Sequence, residues 1–424
     1  MAISRREVLK AGAVGAVAWS VARGPQAYGQ DKPLRHAVIG TGGQGTGHIK
    51  GFLNTEGVAV VALCDVDPER RAKVEAGWPG GNFDAKYYTN FHELLADPNI
   101  DSVSIATPDH WHTPVALHAL KAGKHVYVEK PCSHNIHEAF ELDRVARETG
   151  LCVQHGTQHR SGAGPKEAVK MMQEGVIGKV RMAKAINHQL RGPIGREPDT
   201  ETPEGVDYDM WLGPAPKRSF SKNRWHYNWH WNWDYGTGDT GNDGVHQLDV
   251  MRWGMGVEIP NRVTSVGAQL FYDDDHETPD TQTAIFEYDD VHLMYEMRLW
   301  TNYKIEGHDN GVVFYGDKGI IEIGRPGSFI TLIGEEKKQI GNSHDFATNV
   351  KNFAECAKSG TPDNLNAPIR EGALSTLLCH YANIGTRVGR PLQLEKDGKQ
   401  ALGDDAANAL FTRIYREGYE LPNV

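Results

Sequence analysis

Three short runs in this 424-residue sequence carry residue types suited to chemistry. The first is Gly40-Thr41-Gly42-Gly43-Gln44-Gly45, a full G-x-G-x-x-G. Its first glycine permits a tight turn, its second lets backbone approach a pyrophosphate, and its third lets helix and strand pack closely. Asp65 follows Gly45 by twenty residues. A carboxylate there accepts a hydrogen bond from an adenosine ribose and repels a 2′-phosphate, which favours NAD over NADP. The second run is Glu129-Lys130-Pro131, preceded by Thr107-Pro108-Asp109-His110-Trp111-His112. Proline biases Lys130 toward extended backbone. An ammonium projected beside a nicotinamide can bond a reacting hydroxyl and stabilise developing alkoxide charge.

The third run spans Arg224 to Gly254 and alternates tryptophan with polar residues before a glycine-rich stretch. Two readings stand. The alternation fits a strand with one packed face. It also fits a carbohydrate platform, with Trp231 and Trp233 stacking on sugar C–H faces and Arg224, His226 and Asp243 bonding hydroxyls. His110, His112, His226 and His230 have pairable spacing, but no third ligand follows, so no metal site is expected.

The elements needed to position these runs are legible. Residues 35–40 and 58–63 are short apolar strands, and 46–53 can form a helix whose amides face phosphates. Further strands at 101–106, 124–128 and 151–154 alternate with helical segments, which implies a parallel doubly wound sheet. Ligands in such sheets bind beyond the C-terminal strand ends, where all of the nucleotide-type residues fall. Candidate strands at 181–187, 263–268, 281–288, 292–297, 312–316 and 317–323 follow, then amphipathic helices at 345–358 and 370–388.

In order and spacing, these motifs resemble the Gfo/Idh/MocA oxidoreductases. The marks are the glycine motif, Ala106-Thr107-Pro108 with His112, Glu129-Lys130-Pro131, Gly175 to Val180, and the stretch ending in His246. The resemblance implies an α/β chain: a Rossmann domain followed by an α/β domain with an open, mainly antiparallel sheet. It covers residues 35–395. We place a leader at 1–30, the NAD-binding domain at 33–155, a substrate and oligomerisation domain at 156–395 and a tail at 396–424. The resemblance assigns Gly40, Gly42, Gly43, Gln44, Gly45, Asp65, Thr107, Pro108, His112, Glu129 and Lys130 to the cofactor. It makes Lys130, His246 and Asn242 the catalytic set, with His246 the general base. Family members often carry Asp-x-Gly-x-His here. This chain has Asn242, Gly244 and His246, so an amide replaces the carboxylate. Asn242 can orient substrate or imidazole but cannot act as a base. Asp243, Asp239 or Asp249 could compensate. The implied reaction is hydride transfer between NAD and a sugar or cyclitol hydroxyl. The alternative is a redox-cycling glycoside hydrolase or keto-sugar lyase. A homodimer or homotetramer is implied as well.

The net charge of −10 and pI of about 6.1 argue against a nucleic-acid partner. No apolar run reaches the ~18–20 residues of a membrane span. Ser4-Arg5-Arg6-Glu7-Val8-Leu9-Lys10, an apolar stretch to Val21, and Ala27-Tyr28-Gly29 resemble a twin-arginine export signal. That predicts a periplasmic or otherwise exported protein that meets the twin-arginine machinery after folding. Free NAD is scarce outside the cytoplasm, so a tightly held cofactor is expected. The five cysteines form no CxxC pair, and each reads as a small buried hydrophobe.

Overall fold

The computed structural model describes residues 32–79 and 83–424. The twin-arginine motif and the segment after it lie outside the described residues. The apolar runs of the first half become β1 (Leu34–Ile39), β2 (Val58–Cys64), β4 (Ser102–Ile105), β5 (His125–Val128) and β6 (Val153–His155), and a short strand not expected from the sequence, β3 (Lys86–Tyr88), joins them. They form one parallel sheet in the order β3-β2-β1-β4-β5-β6. β4, β5 and β6 are buried along their whole length because helices cover both faces. Those helices are α1 (Gly43–Leu53), α2 (Pro68–Ala76), α3 (Phe91–Ala96), α4 (Asp109–Lys121) and α5 (Ile136–Thr149). Strand order reverses at β1, which lies between β2 and β4. The crevice beyond its C-terminal end is therefore the topological switch point where such sheets bind ligands.

After α6 (Ala163–Gln173) comes β7 (Val180–His188), then α7 (Tyr208–Leu212), α8 (Gly238–Asn242) and α9 (Gly244–Met255). The remaining strands are β8 (Arg262–Ala268), β9 (Thr281–Glu287), β10 (His292–Arg298), β11 (Asn310–Gly316), β12 (Gly319–Gly324), β13 (Gly327–Leu332), β14 (Lys338–Gly341) and β15 (Leu392–Gln393). With β7 they form a second sheet in the order β14-β13-β12-β11-β7-β10-β9-β8-β15. β7 and β10 run parallel, with Ala185 opposite Tyr295. The other pairings are antiparallel. Alternation along β9 buries Gln282, Ala284 and Phe286 and leaves the intervening residues half-buried. That is the pattern of a sheet covered on one face. α9 and α11 (Ile369–Val388) cover it.

Two local expectations change. The stretch 224–235 is not a strand. It folds as 3-10 turns at Lys222–Arg224 and Asn228–Trp231. Consecutive Trp229 and His230 are both buried, with their rings stacked at 3.6 Å. A strand sends neighbours to opposite faces and cannot make that pair. The helix expected at 345–358 is α10 (Phe346–Ser359), and it packs back on the first sheet. Val350, Phe353 and Ala354 join Leu34, Val38 and Phe52 in one apolar cluster. The last residues also return: Tyr415 donates to Glu138 on α5, and Tyr419 meets Trp111 edge-on at 5.8 Å.

Candidate functional site

The glycine turn is built by two close approaches and one open space. Gly40 has φ +81°, and a Cβ there would sit 2.6 Å from the Ala106 carbonyl oxygen. A Cβ on Gly45 would sit 1.9 Å from the Gly40 carbonyl oxygen, so α1 packs against β1 only through glycine. Gly42 and Gly43 have nothing within 4 Å of the same point. Gly42 caps α1 without any side-chain hydrogen bond. The leading amides of α1 therefore face open space, which fits a phosphate group. Asp65 braces the turn. Its Oδ2 accepts from the Thr41 amide (2.7 Å) and hydroxyl (3.0 Å), and its Oδ1 from the Asp67 amide (3.1 Å). Burial raises the Asp65 pKa, while those bonds pull it down. An ionised carboxylate has about four acceptor positions, so one remains for a ribose hydroxyl.

The Glu-Lys-Pro turn follows β5. Glu129 accepts from Gln44 and His48, both at 2.9 Å, and from the Lys130 amide at 3.1 Å. Burial pushes its pKa up, but the His48 bond and the Lys130 charge outweigh that and hold the carboxyl below its usual range. His112 on α4 ties two turns together through the carbonyls of Pro131 (2.6 Å) and Thr107 (2.8 Å). Thr107 Oγ1 is buried without a partner. Asp109 begins α4 and accepts from Thr237 Oγ1 at 2.6 Å. Burial pushes its pKa up to about 7, against the Thr237 bond and the Lys130 charge.

The second half delivers its groups through α8 and the first turn of α9. Lys130 Nζ donates to the Asn242 carbonyl (2.6 Å) and amide oxygen (3.2 Å). Asn242 Nδ2 donates to Asp239 Oδ1 at 2.9 Å, which turns the amide oxygen toward Lys130. Asp239 is fully buried and paired with Arg191 at 3.0 Å. Of the three acids able to compensate for Asn242, Asp239 is the one that bonds it. Asp243 is bonded by Asn310 at 2.6 Å and by Gln189. Asp249 belongs to a separate buried network with Arg160 (2.9 Å) and Ser375 (2.7 Å). His246 is 8% exposed, and its Nδ1 has no partner. Burial, then His159 and Lys130, lower its pKa well below the ordinary histidine value, so the ring is neutral.

One cavity collects these parts. Every cofactor candidate of the glycine turn, the 107–112 turn and the Glu-Lys-Pro turn lines it except Gly45, which packs α1 on β1. Asp65, Asn242 and His226 line it too. The other substrate candidates do not. Arg224 pairs with Asp199 at 2.6 Å. Trp231 is 1% exposed in the core. Trp233 is covered by Arg387, 4.9 Å over its ring. Asp243 and His246 are not among the lining residues. The sugar platform expected of Arg224, Trp231 and Trp233 is thus not formed, because each is engaged elsewhere. Sequence reasoning missed Asp109 and Asp67, and took Trp225 and Trp229 only as part of an alternation. All four line the cavity. For Asp109 the signal was its place between Pro108 and His112. Among the described residues, no group of three His, Cys, Asp or Glu could hold a metal ion, and no helix is long and apolar enough to cross a membrane.

Comparison with known proteins agrees with this architecture. The family model for the oxidoreductase family's NAD-binding Rossmann fold matches residues 34–157, and that for its C-terminal alpha/beta domain matches 169–421. A glycosyl hydrolase family 109 protein of Saccharopolyspora erythraea is 32% identical over 217 residues, 44% of this chain and 46% of that protein. The chain thus spans about half the length of that relative. Myo-inositol 2-dehydrogenase of Thermotoga maritima is 23% identical over 379 residues, covering 86% of this chain and 99% of that one. Among solved structures, the WlbA dehydrogenase of Bordetella pertussis in complex with NADH and UDP-GlcNAcA has a TM-score of 0.64 at 20% identity. That match covers 86% of this chain and 98% of that one and shows the shared fold. The two domain matches in sequence, over a parallel nucleotide-binding sheet and a mainly antiparallel second sheet, mean that the chain belongs to the Gfo/Idh/MocA oxidoreductase family.

Proposed function

We propose that this protein transfers a hydride between a nicotinamide cofactor and a hydroxyl-bearing carbon of a sugar or cyclitol. The observation that carries the reading is the meeting of Lys130 with Asn242 in the same cavity as the open faces of Gly42 and Gly43. A bound nicotinamide supplies the hydride acceptor or donor. Lys130 bonds the substrate oxygen and stabilises its developing negative charge. Asn242, held by Asp239, positions the ammonium. His246, a neutral imidazole, is the candidate acceptor of the hydroxyl proton, although it does not line the cavity and its Nδ1 is buried. Asp65 and Asp67 place two carboxylates at the ribose end, and Arg70 stays 3.8 Å from Asp67, so NAD is favoured over NADP.

The amino-terminal Ser-Arg-Arg motif supports export, and scarcity of free nucleotide outside the cytoplasm supports a resident cofactor. A homodimer or homotetramer fits the family. The test is to purify the protein without added nucleotide, denature it and identify what is released by mass spectrometry. Turnover is then assayed on a panel of sugars and cyclitols, with Lys130→Met as control. Release of NAD(H) with Lys130-dependent sugar oxidation supports the reading. Sugar oxidation that is indifferent to Lys130→Met refutes the site.

A second reading draws on the similarity to glycosyl hydrolase family 109 proteins. The hydride would return to the same sugar after elimination of its aglycone. Aglycone release with no net accumulation of NADH distinguishes it.

A further inference from the structure

The cavity that begins at the glycine turn is walled on its far side by the second half of the chain. Trp225, His226 and Trp229 line it together with Asp65 and Asp67, which follow β2. That is the end of the crevice where a carboxylate meets an adenosine ribose. His226 Nε2 stands 3.3 Å from Asp67 Oδ2, so the two halves touch across the mouth of this end. Asp67 is itself fixed, because its Oδ1 caps α2 through the Glu69 amide at 2.9 Å.

The His226 backbone is unusual. Its φ is +60°, a left-handed conformation that non-glycine residues adopt rarely and that clusters at ligand clamps. The neighbourhood enforces it. Trp229 Nε1 donates to the His226 carbonyl at 3.2 Å. Trp225 is wedged between Trp211 at 5.2 Å and Phe220 at 5.4 Å. Trp229 stacks on His230. An aromatic cluster thus holds a strained residue against an acid of the nucleotide domain. A sugar subsite would instead be expected beside Lys130, at the other end of the cavity.

Resting on the nicotinamide reading above, we propose that Trp225, His226 and Trp229 form a clasp over the adenosine ribose, so that the second domain retains the cofactor. Retention follows from geometry. The nucleotide is enclosed between the glycine turn and the clasp, and the imidazole must leave Asp67 before it can escape. This gives Trp225 and Trp229 a nucleotide-retaining role and His226 the same role in place of a sugar-binding one.

The test is His226→Gly. Glycine keeps the positive φ without strain and removes the imidazole, so the backbone path is preserved. NADH dissociation is followed by fluorescence during dilution into excess NAD, for wild type and variant, with sugar KM measured in parallel. The expected result is an off-rate raised about tenfold, or more, with unchanged melting temperature of the nucleotide-free protein. His226→Gln, whose side-chain amide nitrogen extends about as far as the imidazole Nε2, should restore part of the retention. Equal off-rates in wild type and His226→Gly overturn the clasp alone. A raised sugar KM with an unchanged off-rate overturns it in favour of a sugar contact. Failure of both proteins to bind NAD(H) removes the clasp and the functional reading together.

Discussion

Lys130 Nζ lies 2.6 Å from the carbonyl oxygen of Asn242 and 3.2 Å from its side-chain oxygen, so an ammonium from one domain is seated on an amide from the other. The nearest carboxylate in this chain of contacts is one residue further, at Asp239, which accepts from Asn242 Nδ2 at 2.9 Å. Asn242→Asp replaces that donor with a second acid. Two adjoining buried carboxylates cannot both ionise easily, and one retains its proton. Activity should fall about tenfold at pH 8 and recover toward pH 5, where the protonated carboxyl of the variant again donates a hydrogen bond to Asp239. A pH profile of kcat/KM that parallels wild type would show that the bond to Asp239 plays no part.

Lys130→Met removes the proposed donor to the substrate oxygen while leaving the glycine turn intact. Loss of one such stabilising group typically lowers kcat by ~10²–10³-fold. NADH affinity, read by fluorescence titration, should change by less than about threefold, because the open amides of α1 do not contact this side chain. A collapse of nucleotide binding alongside activity would instead make Lys130 a cofactor anchor.

Much of the nucleotide half was legible because its signals are local. A glycine motif between an apolar strand and a helix has one structural meaning, and Gly40 and Gly45 make the close approaches that meaning requires. Strand and helix periods located β7 through β12 within a few residues. The short β3 and the edge strand β14 escaped notice because they are brief, and β14 is exposed or half-buried; β13, paired between β12 and β14, was not anticipated either. The tryptophan-rich run misled for a different reason. Alternation in sequence does not say which rings meet, and Trp229 with His230 stack as neighbours. α10 belongs by sequence to the second half and by packing to the first, a choice made by which apolar face it finds. Asp109 became notable only once burial and its bond to Thr237 were seen.

Asp109 links stability to pH. Its folded pKa, raised to about 7 by burial, lies above the ordinary carboxylate value, so the folded state binds this proton more tightly. Its stabilising contribution is full below about pH 4 and is lost as pH rises through about 7. Asp109→Asn keeps an acceptor for Thr237 and removes the buried charge. The variant should gain stability over wild type as pH is raised from 5 to 8, by about 2–3 kcal/mol. Denaturant melts at both pH values measure this directly. A constant difference between the two proteins would mean that Asp109 stays ionised throughout.

Two alanine substitutions in the glycine turn should separate folding from binding. At Gly45 the new Cβ would meet the Gly40 carbonyl at 1.9 Å, so backbone must move and stability should drop by about 2–4 kcal/mol. At Gly43 nothing stands within 4 Å, and the residue opens α1, where alanine is the better helix former. Gly43→Ala should therefore melt at or slightly above the wild-type temperature. Its Cβ would occupy the space in which a pyrophosphate approaches the α1 amides, and NAD(H) affinity should fall about tenfold or more by calorimetry. Unaltered affinity in a stable Gly43→Ala protein would mean that the phosphates lie elsewhere, and the turn would then be a packing device between β1 and α1.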